Sequence, residues 1–384
     1  MPYVLLSTLA LLISIAITYW VHSRVHMDII VHPAPPPTDQ SHPLISILVP
    51  ARNEARNIRH CVEALLGGTY PNTELIVIDD RSTDRTSQIL AELAGENPTL
   101  QVVHGKDLPS GWAGKPHALV QGVAVADGEW LCFVDADTFA RPELIASAYA
   151  AAREHQADLF TLLTDQELGT FWEKAILPLV FTGLSFGFPA QRVNNPDKPD
   201  AIASGQFLLI KRSVYEATGG HIAVRDRIDE DKALAEIVKG AGYRLILADG
   251  RLLARTRMYT SLPEMWEGWT KNIFLGLRDR LGLLTFGATV ALLGALALPA
   301  WLLTGIGWYL AGGSLPAIVV TVEALLIWGY LLYKRAAAAQ AFNISPLYAL
   351  TLPLGTAIFA AMMFASTMKV LSGKGVTWKG RTYT

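Results

Sequence analysis

Apolar and polar positions divide the chain into three textures. From residue 2 to 21 there is no charge, and Leu, Ile, Val and Ala dominate over a length sufficient to cross a bilayer. Between about 44 and 258, short apolar runs alternate with helical patterns, which predicts an α/β domain with a largely parallel sheet. After Arg280 no charged residue appears until Glu323, and after Arg335 none until Lys369. That last third reads as membrane helices at about 283–309, 316–333 and 345–368.

The middle texture predicts strands at 45–49, 74–78 and 130–134, with helices from about Ala55 and Thr83 after the first two. Residues 232–240 are helical by pattern. Residues 172–188 are apolar and aromatic but broken by Pro178 and Gly183, which leaves open an interfacial segment or a buried piece of the α/β domain. The organisation expected is a membrane anchor at 1–23, a Pro-rich linker at 24–43, the α/β domain at 44–258, an interfacial segment at 259–280, membrane helices at 281–370 and a basic tail at 371–384, cytoplasmic or exposed. Pro33, Pro35, Pro36 and Pro37 stiffen the linker.

Composition agrees with this division. The chain of 384 residues is 51% hydrophobic and 17% charged, apolar for a soluble enzyme. Its first segment lacks the basic start and small-residue cleavage site of a signal peptide, so an uncleaved anchor is expected. Arg24 favours the α/β domain facing the cytoplasm, which makes this a multi-pass protein of the cell membrane. Three later crossings would put Lys369, Lys374, Lys379 and Arg381 outside, against that trend, unless one segment is re-entrant. Glu323 within the membrane stretch is either functional or close to a crevice or helix end. A net charge of -2 offers no broad basic surface for nucleic acid. Cys61 and Cys132 have no metal-ligand spacing and form no disulfide framework. Oligomeric state is not legible.

Candidate chemistry gathers at the ends of the three strands. The first runs into Pro50, Ala51, Arg52, Asn53 and Glu54, the second into Asp79, Asp80, Arg81, Ser82, Thr83 and Asp84, the third into Asp135, Ala136, Asp137 and Thr138. Ligands of open α/β sheets bind at the carboxyl ends of the strands, so these clusters should share one cleft. Asp84 and Ser82 suit helix capping. The adjacent Asp79 and Asp80 repel each other unless a ligand supplies hydrogen bonds or a cation. Asp135 and Asp137, alternating after a buried strand, suit a divalent cation that also touches a diphosphate.

These three tips, in this order and spacing, resemble the family 2 glycosyltransferases over roughly residues 46–245. The resemblance implies a glycosyltransferase A-type (Rossmann-like) nucleotide-sugar domain, inversion at the sugar carbon and a divalent cation, Mg²⁺ or Mn²⁺. By position it implies Pro50, Ala51, Arg52, Glu54, Asp79, Asp80, Lys115 and Asp135 around the donor, with Glu54 and Asp80 against the nucleoside. Asp135 would meet the ribose and share the metal-diphosphate with Asp137. Lys115 stands in a Gly-Lys element that lacks the full spacing of a phosphate loop.

A base must take the acceptor's hydroxyl proton. Asp229, Glu230 and Asp231 open the helical stretch at 232–240, where helix N-terminal preference alone favours acids. The family's Glu-Asp pair maps onto Glu230 and Asp231, which makes Asp231 the expected base. Gly205, Gln206, Glu230 and Trp269 are expected on the acceptor side. The chain has Trp266-Glu-Gly-Trp269 where processive polymer synthases carry Gln-X-X-Arg-Trp. That departure weakens the case for a polysaccharide synthase, and the overall layout, including residues 108–119 and the Trp378-Lys379-Gly380-Arg381-X-Tyr383 tail, resembles the carotenoid- and hopanoid-associated branch. The expected reaction moves a hexose, glucose on UDP, to a hydroxylated membrane lipid. Polyprenyl-phosphate transfer, polymer synthesis, or a silent nucleotide-sugar-binding scaffold are the alternatives. No Gly-X-Gly-X-X-Gly follows the first strand, which argues against a dinucleotide oxidoreductase.

Overall fold

The computed structural model describes residues 2–24, 27–36, 42–277, 289, 300–372, 376–378 and 381–383. Most of the expected helix at 283–309, together with Pro37, Arg280, Lys374 and Lys379, lies outside the described residues. The chain forms two compact units. One draws on Met1–Val25, Leu168–Gly187 and Tyr259–Thr384, the other on His26–Glu167 and Phe188–Met258.

The second unit is built on a seven-stranded sheet. Its strands are β1 (Ile45–Ala51), β2 (Thr73–Asp79), β3 (Leu100–His104), β4 (Trp130–Phe133), β6 (Leu159–Leu163), β8 (Leu208–Lys211) and β9 (Leu245–Asp249), in the spatial order β3-β2-β1-β4-β8-β6-β9. The short strands β5 (Thr138–Ala140), β7 (Asp165–Gln166) and β10 (Ala254–Thr256) form a second sheet. The three strands expected from the alternation are β1, β2 and β4. β1 is buried along nearly its whole length because helices cover both faces of the sheet, which explains its continuous apolar run. Gly122 of the helix Gly114–Val123 lies so close to Ile78 and Leu48 that a Cβ there would meet both side chains within 3 Å.

Register brings the polar tips together. β1 and β2 are parallel with Ala51 opposite Asp79, and β1 and β4 are parallel with Leu48 opposite Phe133. β8 runs antiparallel to β4 with Leu208 opposite Phe133. The residues that lead into β8, Gly205 and Gln206, therefore lie beside those that leave β4, Asp135 to Asp137. The sheet's other edge takes up part of the expected linker: Ile30 bridges to Asp249, and the Ala34 N–H donates to Ser147 Oγ at 2.9 Å.

The other unit is helical. Its helices include Pro2–Arg24, Phe171–Gly187, Leu262–Leu277, Leu315–Ala341 and Leu352–Ser372, and a short antiparallel hairpin pairs Val376–Trp378 with Arg381–Tyr383. Leu315–Ala341 and Pro346–Ser372 are long and apolar enough to cross a membrane. The segment interrupted by Pro178 is a helix packed with the C-terminal helices, so it belongs to this unit and not to the α/β core. Glu323 accepts hydrogen bonds from the hydroxyls of Ser7 and Thr8, the latter at 2.6 Å, and so ties the N-terminal helix to Leu315–Ala341.

Candidate active site

The first two strand tips are locked to each other by their own backbone and side chains. Asn53 and Arg81 both adopt left-handed φ of 55°, costly for residues other than glycine and repaid by the bonds around them. The Asp80 N–H donates to the Ala51 carbonyl at 2.8 Å, and Arg52 Nη1 donates to the Asp80 carbonyl at 2.7 Å. Asn53 Oδ1 accepts the Thr83 N–H at 2.8 Å, and Asp84 accepts the N–H of Ala55 and of Thr86. Of the buried pair, Asp79 is occupied structurally: it accepts from the Ser82 N–H at 3.1 Å and from the Ser87 hydroxyl. Asp80 is equally buried, with Arg81 Nε 3.6 Å away.

Asp135 and Asp137 leave β4 on a turn closed by the Thr138 N–H on the Asp135 carbonyl at 3.0 Å. Cys61 sits beneath this turn, its thiol donating to the Asp135 carbonyl. Burial first, then the carboxylates of Asp137, Asp135 and Glu54, push that thiol up, so the acids of the first and third tips surround one point. Glu54 also accepts from Asn57 Nδ2 at 3.0 Å.

Lys115 closes the cleft. It stands in the first turn of Gly114–Val123, whose start is pinned by the Ala113 N–H on the Arg225 carbonyl at 2.6 Å. Its Nζ lies 2.7 Å from Asp135 Oδ1 and 2.7 Å from Glu230 Oε1. Burial opposes the charge, yet Asp135, Glu230 and Asp231 hold this ammonium well above the usual lysine range. Burial raises the Glu230 carboxyl to about 7 despite the lysine. Asp231 at the N-terminus of Glu230–Gly240 accepts the Gly205 N–H on Oδ2 and the Lys232 N–H on Oδ1, each at 2.7 Å. Burial pushes Asp231 up as well, against Lys115 and these two N–H groups. A raised carboxylate fixed by two donors is a preorganised proton acceptor.

Gly205 is required for a reason other than turn conformation. A Cβ there would lie 2.7 Å from Lys115 Nζ, 3.1 Å from Asp231 Oδ2 and 3.2 Å from Asp135 Oδ2. Its neighbour Gln206 points elsewhere, into a buried network with Thr164 at 2.5 Å and Gln166 at 3.3 Å. The cleft is lined by Pro50, Lys115, Asp135, Gly205, Glu230 and Asp231 among others. His221 also lines it and has no signal in the sequence. Its Nδ1 lies 3.0 Å from the Tyr215 hydroxyl, which also accepts the His221 N–H, and burial followed by Lys115 lowers its pKa to about 3. Trp269 lies in the helical unit, buried against Phe181 and Tyr259.

The donor set suits a hard divalent cation. Asp135 and Asp137 offer carboxylate oxygens, and three acids, Asp135, Glu230 and Asp231, gather around one lysine, an excess of negative charge that a cation relieves. Among the described residues no three or more acidic, histidine or cysteine side chains are placed to hold one ion between them, so phosphate and water would have to complete the shell, as Mg²⁺ prefers.

Comparison with known proteins adds to this geometry. Residues 46–219 match the model of the Glycosyl transferase family 2. A 4,4'-diaponeurosporenoate glycosyltransferase of Staphylococcus aureus (strain USA300) is 27% identical over 266 residues, covering 66% of this chain and 69% of that protein. Its counterpart in strain MRSA252 gives the same figures. A mannosyltransferase from Pyrobaculum calidifontis, solved in complex with GDP-Man and Mn²⁺, has a TM-score of 0.58 and 21% identity, with 97% of this chain and 99% of that one covered. The likeness is one of fold.

Proposed function

We propose that this chain, whose residues 46–219 match the Glycosyl transferase family 2 model, transfers a hexose, glucose from UDP-glucose, to a hydroxylated terpenoid lipid with inversion at the sugar carbon. The single observation carrying the catalytic part is Asp231 Oδ2 held by the Gly205 N–H at 2.7 Å within the cleft that Lys115 and Asp135 line. A terpenoid skeleton in the acceptor is supported by the relatives named for 4,4'-diaponeurosporenoate, itself a carboxylate and not an alcohol, and by the two helices apolar enough to span a bilayer. Their exposed Leu325, Leu326 and Leu350 suit contact with lipid.

In the mechanism, Arg52 and the buried Asp79 keep the first two tips in register, while Glu54 and Asp80 receive the nucleoside. Asp135 and Asp137 would hold the divalent cation, which when bound neutralises charge on the departing diphosphate. Lys115 adds a fixed positive charge at the same place. Asp231 accepts the acceptor's hydroxyl proton as the bond to the sugar forms and the bond to the diphosphate breaks. Glu230, the neighbouring buried acid, anchors Lys115. The reaction takes place at the cytoplasmic membrane face, with several passes holding the enzyme there.

The test is mass spectrometry of lipids from membranes incubated with labelled UDP-glucose. A glucosylated terpenoid is the expected product, and a labelled polyprenyl phosphate or a polymer would overturn the acceptor assignment.

A further inference from the structure

The helical unit buries a cation for which its described residues provide no anion. Arg335 is 5% exposed on the helix Leu315–Ala341. Part of its purpose is visible. Pro178 has no N–H, so the carbonyl four residues back, on Lys174, loses its helical donor. Arg335 Nη2 donates to that carbonyl at 2.9 Å and to the Ala175 carbonyl at 3.5 Å. Gly355 packs against the same stretch, where a Cβ would come within 2.5 Å of the Ala175 carbonyl.

This accounts for one nitrogen of three. Nε and Nη1 are buried with no hydrogen-bond partner among the described residues. A buried guanidinium without a counter-charge costs several kcal/mol, and satisfying a single carbonyl would need only a neutral donor. Position supplies the missing partner. Arg335 lies about 30 Å along the helix axis from Leu315, the thickness of the hydrocarbon core, which sets it at headgroup depth. Lys174 Nζ lies 5.8 Å over the Tyr348 ring, and Phe171 packs on the same ring at 5.9 Å, the mixture of basic and aromatic groups that marks a membrane interface.

We infer that Arg335 is a binding site for the anionic headgroup of a membrane phospholipid, whose oxyanion takes the N–H groups of Nε and Nη1. The site rests on Leu315–Ala341 spanning the bilayer and is independent of the transfer reaction. The full chain, stripped of lipid in neutral detergent, is titrated with phosphatidylglycerol, phosphatidylcholine or inorganic phosphate, and bound species are counted by native mass spectrometry. The wild type should prefer phosphatidylglycerol to phosphatidylcholine at least tenfold.

Pro178→Ala restores the N–H that Lys174 lacks, so Pro178→Ala/Arg335→Gln removes the guanidinium without leaving that carbonyl bare. This double variant should bind both lipids alike, and Arg335→Lys should keep an intermediate preference. An unchanged preference in the double variant overturns the site. Displacement of phosphatidylglycerol by millimolar inorganic phosphate overturns its assignment to a lipid. Should the double variant not fold, the wild type and Arg335→Lys decide alone: equal thermal stabilisation of both proteins by the two lipids sinks the proposal.

Discussion

The two units bury charge in opposite ways. In the α/β unit, Asp135, Glu230 and Asp231 gather around one lysine, and the surplus of negative charge leaves the cleft prepared for cationic and phosphate-bearing ligands. In the helical unit charges stand singly: Glu323 is met by two neutral hydroxyls, and Arg335 gives one nitrogen to backbone carbonyls while its Nε and Nη1 have no partner among the described residues. A buried charge satisfied by neutral dipoles fixes one helix to another. A cluster with unbalanced charge is poised for ligands and titration. If that contrast holds, substitutions in the cleft should alter chemistry more than stability.

The sharpest break is Asp231→Asn. The amide keeps the shape and can still accept the Gly205 N–H, but it cannot take a proton. Transfer should fall by about 10²–10⁴-fold while donor affinity, read by calorimetry, stays within a few-fold. Equal loss of both would mean that Asp231 only shapes the cleft. Next is Lys115→Met, which strips Asp135 and Glu230 of their shared cation. Donor affinity should drop by about tenfold or more, and the variant should be destabilised more at pH 8 than at pH 6. The sign follows from Glu230, whose folded pKa of about 7 lies above its ordinary 4.5. Removing the ammonium raises it further, so the carboxyl remains neutral and harmless at pH 6 but is a bare buried charge at pH 8. Urea denaturation at the two pH values measures the difference.

What could be read from the sequence was whatever lay close together along it. The strand tips at Asp79, Asp80, Asp135 and Asp137 stand directly after apolar runs, so their place at the sheet's carboxyl edge follows from the period and from the rule for open sheets. Partnerships across the fold were not readable. Lys115 meets Asp135 and Glu230 only because the helix Gly114–Val123 and the start of Glu230–Gly240 converge, and no spacing encodes that. The same holds for Gln206, which faces a threonine network instead of the cleft. The helix Phe171–Gly187 was ambiguous for a different reason. An apolar run with Pro178 looks the same whether it joins a sheet core or other helices, and its partners lie far away in sequence.

Gly205→Ala tests how closely the cleft is packed around its charges. Gly205 has no positive φ, so the substitution costs little in backbone strain. Its Cβ would press on the Lys115 ammonium and the Asp231 carboxylate. A flexible lysine end can retreat, so stability should change by only about 1 kcal/mol. The displaced lysine and base should slow transfer about tenfold or more. Loss of stability with unchanged turnover would show that the close approach serves packing alone.

The smallest effect concerns His221, whose ring is buried beside the Tyr215 hydroxyl and the edge of Phe133. Its folded pKa of about 3 is below the ordinary 6.5, because burial and the nearby Lys115 disfavour the imidazolium. The unfolded chain therefore binds a proton at pH values where the native ring does not, and the ring's contribution to stability is lost as pH falls from about 6.5 toward 3. Between pH 7 and 6 that loss is about 0.7 kcal/mol. Glu230 acts in the opposite sense over the same interval, since its raised pKa lets the native state gain the proton first. The net slope of the wild type thus conceals both. His221→Gln keeps an acceptor for Tyr215 but cannot titrate, so subtracting its urea-denaturation profile from that of the wild type should isolate the histidine. A difference profile that is flat from pH 7 to 5 would mean that the ring is hydrated and protonated in the native cleft, and that Lys115 does not set the local field.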